Sequence, residues 1–207
     1  MRLTSFLPQC LLAFVLFVHG AAQALPTYHV TVDTTSHAGQ GLMDFTFLAN
    51  AGATPATAIL SNFSGAFGAT YDSSAGVAGT IPGQVSLGNQ NGGDYLTQIV
   101  GLGGSFSFDI RFDGDFANIA SLDESLFNVT LYNDDFSGYI GTAGSLVSFE
   151  LVPRLNGQPG GVVASSSGPM ATVAEVPEPS TLLLSLTALP FCVSLARQRR
   201  SAPAQAA

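Results

Sequence analysis

The sequence predicts an all-β domain, an antiparallel β-sandwich of jelly-roll-like arrangement, and three observations carry that prediction. Apolar and polar residues alternate with a period of two in stretch after stretch. Clusters of Gly, Asn, Asp and Pro separate these stretches at short intervals. Almost no helical periodicity is present between residues 25 and 162, the segment assigned to the domain.

The elements follow in chain order. Tyr28, Val30 and Val32 point one way while His29, Thr31 and Asp33 point the other, the signature of a half-buried strand. Gly39-Gln40-Gly41 then opens a strand over Leu42 to Leu48, and the turn-rich Ala49 to Pro55 leads into another over Ala56 to Phe63. Residues 65–93, rich in Gly, Ser and Asn, read as a long surface excursion. Tyr95 to Val100 follows. The clearest alternation is Phe106, Phe108, Ile110 and Phe112 against Ser105, Ser107, Asp109 and Arg111, ending at the Asp113-Gly114-Asp115 turn. A helical turn is expected over Asp123 to Phe127, then strands over Leu126 to Tyr132 and Ser145 to Val152, with Asn133-Asp134-Asp135 as a turn between them. Residues 163–175, with their serine run, read as a linker. Phe-rich faces would interdigitate between two sheets about 10 Å apart. With no tryptophan and no cysteine pair in the domain, an immunoglobulin core is unsupported, which favours the jelly roll.

Composition excludes several functions. The chain has no lysine and a formal net charge of −8, and Arg111 and Arg154 are the only basic residues of the domain. Such a surface repels polyphosphate, so nucleic-acid binding is excluded. Cys10 and Cys192 both fall outside the domain, which leaves it without disulfides.

The two ends are of another character. Arg2, the apolar Phe6 to Val18 and the small Ala22 and Ala24 make residues 1–24 a secretory signal peptide, with signal peptidase expected to cut after Ala24. The apolar stretch is too short for a span, which needs roughly 20 residues. At the other end, Val176-Pro177-Glu178-Pro179-Ser180 precedes an apolar run, Thr181 to Ala196, that stops at Arg197, Arg199 and Arg200. The prolines hold the motif extended. A helix over the run would be about 24 Å long, short of a bilayer core of about 30 Å, and Pro190 would kink it. The arginines would remain on the cytoplasmic side with residues 201–207 as a short cytoplasmic tail.

This tripartite end, residues 176–200, resembles the PEP-CTERM sorting signal of Gram-negative bacteria. Tyr28 to Thr35 and Ser105 to Gly114 are in turn similar to a group of PEP-CTERM ectodomains to which no activity is attached. The resemblance implies an exosortase as partner, cleavage near the motif, transient anchoring in the inner membrane, and delivery to the cell surface or the extracellular exopolysaccharide matrix.

Signals for chemistry are sparse. No Gly-x-Ser-x-Gly elbow is present, and His29 and His37, the domain's histidines, lie on a solvated strand face and in a turn. The Gly39 and Gly101 clusters lack dinucleotide spacing. Acidic residues such as Asp109, Asp123, Glu124, Asp134 and Asp135 provide candidate carboxylate pairs for glycoside hydrolysis, but no tryptophan backs a sugar cleft. Ca2+ is the one ion the residues suggest, with Asp113 and Asp115 as candidate ligands; Ala117 and Asn118 break an EF-hand pattern. The leading expectation is a non-catalytic surface or matrix protein that meets exopolysaccharide or copies of itself. The alternative is a carbohydrate-binding module or a weak carbohydrate-active enzyme, for which Tyr71, Tyr95, Tyr132 and Tyr139 are the candidate face.

Overall fold

The computed structural model describes residues 25–177. Its strands are β1 (Thr27–Asp33), β2 (Gln40–Ala49), β3 (Ala56–Ser64), β4 (Phe67–Ser73), β5 (Ala78–Gly79), β6 (Val85–Gly88), β7 (Asp94–Gly101), β8 (Ser105–Gly114), β9 (Ser125–Asn133), β10 (Val147–Val152), β11 (Gly161–Ser166) and β12 (Ala171–Val176). A single 3-10 turn, Gln90–Gly92, is the only helical piece among the described residues.

Two six-stranded sheets form, one in the order β12-β1-β8-β3-β6-β5 and the other β11-β10-β9-β2-β7-β4. The paired strands run antiparallel throughout, so the all-β sandwich expected from the alternation is present. From β1 to β4 every step crosses from one sheet to the other; β5 and β6 stay in the first sheet, and the crossing resumes through β9.

The alternation decides which side chains meet between the sheets. In β8, Phe106, Phe108, Ile110 and Phe112 are buried while Ser105, Ser107, Asp109 and Arg111 face outward. Opposite them, β2 contributes Met43, Phe45 and Phe47, and β9 contributes Phe127, Val129 and Leu131, all fully buried. Most of the phenylalanine pairs meet edge-on or tilted, among them Phe45 and Phe108 at 5.4 Å between ring centroids, Phe112 and Phe149 at 5.5 Å and Phe47 and Phe127 at 6.1 Å, while Phe63 stacks on Phe108 at 5.8 Å. Edge-to-face contact sets the positive rim of one ring against the negative face of the next. Each buried ring adds about 1.5–3 kcal/mol through the apolar surface it removes from water.

Polar clips close one end of the core. Asn89, only 2 % exposed, accepts from the Ala56 amide (2.9 Å) and donates to Thr54 O and Ser125 Oγ (2.8 Å each). Asp94 accepts from Ser74 Oγ (2.6 Å) and from the Gly88 amide (2.7 Å), which ties the β4–β5 connection to β6 and β7.

Three expectations are corrected. Residues 163–175 are not a free linker: β11 pairs with β10, and β12 pairs with β1. Val162, Ala164, Met170 and Val173 pack against the core, so the domain continues to Val176. Serine-rich composition hid these strands because a sheet edge is held by backbone hydrogen bonds that any side chain permits. Residues 65–93, expected as a long surface excursion, hold β4, β5 and β6. In place of a helical turn at Asp123, β9 begins at Ser125. The expected signal peptide (1–24), Glu178 to Ser180, the apolar run 181–196, Arg197, Arg199, Arg200 and residues 201–207 lie outside the described residues.

Candidate functional site

The outer face of the second sheet gathers the candidate tyrosines. Register makes the assembly. Asp44 on β2 is opposite Thr97 on β7 and Thr130 on β9, while Thr46 is opposite Tyr95 and Asn128, and Leu42 is opposite Ile99 and Tyr132. Side chains directly opposite in such pairs share a face of the sheet. The central row, Thr97-Asp44-Thr130, is made of short side chains and lies low: Thr97 and Thr130 are buried and Asp44 is half-buried. Tyr95 and Tyr132 rise from the neighbouring rows.

Beyond Tyr132 the aromatic surface continues. Tyr132 and Tyr139 lie 5.0 Å apart with their planes 31° from parallel, Phe136 is 5.2 Å from Tyr132, and Tyr71 is 5.6 Å from Phe136. Tyr71, Phe136 and Tyr139 are 57, 43 and 50 % exposed, an outlay of apolar ring surface to water that the core does not require.

Each ring is held by local chemistry. Tyr139 is placed by an antiparallel bridge to Tyr132. Phe136 adopts a left-handed conformation (φ 60°), which costs a bulky side chain strain. The turn around it is laced to hold that conformation: Asn133 Oδ1 accepts from the Gly138 amide (3.1 Å), Asn133 Nδ2 donates to Ser137 Oγ (2.7 Å), and Asp135 accepts from the Ser137 amide (2.9 Å). Those Ser137 hydrogen bonds hold the Asp135 carboxyl below its ordinary pKa. Tyr71 sits on edge strand β4, whose pairing with β7 shifts register between Phe67 and Thr70 and again between Thr70 and Asp72. Such bulges re-aim side chains and blunt an exposed edge. The buried Gln98 of β7 fastens this strand, donating to Gly68 O and accepting from Thr70 Oγ1.

Electrostatics mark the floor of the face. Burial pushes the Asp44 carboxyl above the ordinary carboxylate range, against a partly compensating hydrogen bond from Thr97 Oγ1 (2.6 Å). The Tyr95 hydroxyl donates to Asp72 Oδ2 (3.0 Å), which raises its pKa. Tyr132 is raised mainly by burial, with Tyr139 and Asp44 adding to it. The face therefore offers acceptors and hydroxyls along a low row beside a file of rings.

Other candidates are not assembled into a site. Asp113 turns back to accept from the Gly114 amide (2.9 Å), and Asp115 accepts from Asn118 Nδ2 (2.9 Å). Among the described residues no group of three or more His, Cys, Asp or Glu side chains converges as a metal site would require. His29 Nδ1 lies 2.6 Å from Asp109 Oδ1, and Asn62 donates to the other carboxylate oxygen (2.7 Å). Partial burial pushes Asp109 up, but the Asn62 and His29 hydrogen bonds and the His29 charge outweigh it and leave its pKa lowered. The pair stands on the outer face of the first sheet, where His29 and Asp109 are direct cross-strand partners. Glu124 shares a hydrogen bond with Glu150, which raises its pKa. The two border a shallow, open depression of about 480 Å³ with Leu48, Asn50 and Leu126.

Val176 is the last residue of β12 and pairs with Thr27 of β1. Among the described residues, no helix is long and apolar enough to cross a membrane. Comparison with known proteins gives no matching family model, no matching curated protein and no matching solved structure.

Sequence reasoning named Tyr71, Tyr95, Tyr132 and Tyr139 and missed Asp44, Asp72 and Phe136. Phe136 follows the Asn133-Asp134-Asp135 turn, and a large aromatic inside so polar a turn was the available signal.

Proposed function

We propose that the chain is an exported, non-catalytic surface or matrix protein whose domain binds exopolysaccharide through the outer face of the second sheet. The observation that carries this is the continuous file Tyr71-Phe136-Tyr132-Tyr139, exposed at every ring but the half-buried Tyr132, beside the low Thr97-Asp44-Thr130 row. Sugar rings present C–H bonds on their flat sides, which suit the negative face of an aromatic ring. Their hydroxyls suit the Asp44 carboxyl of the row and the Tyr95 hydroxyl and Asn128 amide that border it. The face is a flat sheet surface, which fits an extended polymer better than a small molecule buried in a cleft.

Traffic belongs to the same proposal. Signal peptidase releases the chain after Ala24, and an exosortase recognises residues 176–200 and cuts near Pro177 to Ser180. The inner membrane is a transient stop, and the destination is the cell surface or the matrix. We further infer a sandwich of jelly-roll type, supported by the order β1-β8-β3-β6 in one sheet facing β2-β7-β4 in the other.

Titration of matrix polysaccharide, followed by affinity electrophoresis, tests the binding. Tyr139→Ala and Tyr71→Ala should each weaken saturable binding about fivefold to tenfold, as the loss of an aromatic contact worth roughly 1 kcal/mol implies. Unchanged retardation in the double variant removes the face from consideration. Mass spectrometry of the extracellular protein tests the sorting: peptides from Leu182 to Arg200 should be missing.

A further inference from the structure

The exposed large side chains of the described residues are sorted by type. The aliphatic ones are Leu48, Ile119, Leu122, Leu126, Leu155 and Val163, and the rest are aromatic. Register puts every aliphatic one at the same end of the sandwich. Leu48 and Leu126 are partners at the finish of β2 and the start of β9. Ile119 and Leu122 lie in the β8–β9 connection, which leaves β8 at that end. Leu155 and Val163 follow the finish of β10. Tyr139 and its partner Tyr132 lie toward the opposite end, where Tyr132 pairs with Leu42 near the start of β2.

The chain also enters and leaves at the aliphatic end. Thr27 pairs with Val176 on one side and with Arg111, near the finish of β8, on the other. Leu25 directly follows the expected signal peptide, and Thr181, where the apolar run starts, is five positions beyond Val176, a reach of at most about 17 Å when extended. The loops here form a built platform. The Arg154 amide donates to Phe116 O and Ile119 O (3.3 and 3.2 Å), Gly160 to Ala117 O (2.8 Å), and Ser121 Oγ to Gly52 O (3.1 Å). Leu122 stands on this platform 87 % exposed. Hydrogen-bonded loops that hold leucine in water, at the end where β1 starts and β12 finishes, suit a surface that is not water.

We propose that this end of the sandwich is a membrane-contacting surface, with Ile119, Leu122 and Leu155 seated in the interfacial layer of the bilayer that the tail enters. The partner is a zwitterionic lipid surface. Asp115, Asp123 and Glu124 surround the platform with Arg154 as its basic residue, a balance that disfavours anionic headgroups. Three aliphatic side chains bind weakly alone, so the contact depends on the tail holding the domain at the surface. In this orientation the aromatic face extends away from the lipid, free for polysaccharide while the chain awaits cleavage. The inference rests on residues 181–196 being a membrane segment, as in the proposed function.

The chain contains no tryptophan, so Leu122→Trp gives a single reporter and Tyr139→Trp a matched control at the other end. The full-length chain is reconstituted into phosphatidylcholine vesicles carrying lipid spin-labelled near the headgroup. The Leu122→Trp emission should shift to the blue and be quenched, while the Tyr139→Trp emission stays solvent-like and unquenched. Equal quenching of the two, or a blue shift at position 122 without lipid quenching, overturns the membrane contact; the latter points to a second protein copy. Leu155→Trp provides the same readout if the first variant does not fold. A chain that fails to float with the vesicles overturns the membrane segment and the inference together.

Discussion

Replacing Asn89 with alanine is the most exacting test of how the aliphatic end of the sandwich is held. The side chain is nearly inaccessible and joins three segments: the β2–β3 connection through Thr54 O, the start of β3 through the Ala56 amide, and the start of β9 through Ser125 Oγ. It also accepts from Gln90 Nε2 at 3.0 Å, a group exposed enough to turn to water. Alanine therefore strands three polar groups: the Ala56 amide, Thr54 O and Ser125 Oγ. All three belong to buried residues, at 5, 8 and 4 % exposure. An unsatisfied buried group costs about 1–3 kcal/mol. Water entering the vacated space relieves part of this, leaving an expected loss of about 3–4 kcal/mol, or roughly 10 °C in Tm for a domain of this size. Urea unfolding followed by far-UV circular dichroism reads the change as a lower midpoint at unchanged slope. A loss below about 1 kcal/mol would refute the claim that Asn89 holds the loops together.

Three further outcomes are expected. Phe108→Ala, which removes a fully buried ring 5.4 Å from Phe45 and 5.8 Å from Phe63, should lower stability by about 3–5 kcal/mol in the same assay. Asp44→Asn should raise stability at neutral pH: the native carboxyl, its pKa lifted by burial, keeps a proton that the unfolded chain sheds, so native stability falls as pH rises through that window. The advantage of the amide variant should vanish at a pH below the ordinary aspartate value of about 3.9, where both states are protonated, and thermal melts across pH check it. Millimolar Ca2+ should leave the melting temperature unchanged, since Asp113 and Asp115 are engaged in their own turns; a rise would restore the metal site.

The alternation in Tyr28 to Val32, Leu42 to Leu48 and Phe106 to Phe112 determined the sandwich by itself. A strand buried on one face must repeat every second residue, and that pattern is local. β4, β11 and β12 escaped because edge strands carry little such pattern; β4 is exposed along almost its whole length. Their pairing depends on free backbone donors and acceptors that a neighbour happens to offer, not on their own side chains. The tyrosines of the candidate face were legible one at a time as aromatics in polar surroundings. That Asp44, Tyr95 and Tyr132 share a surface follows only from the register of β2 between β7 and β9, strands distant in sequence. The sorting of exposed aliphatics to the end where the chain enters and leaves was likewise decided by tertiary structure. Sequence fixes which side of its own strand a residue faces, whereas pairing between strands decides which residues lie side by side.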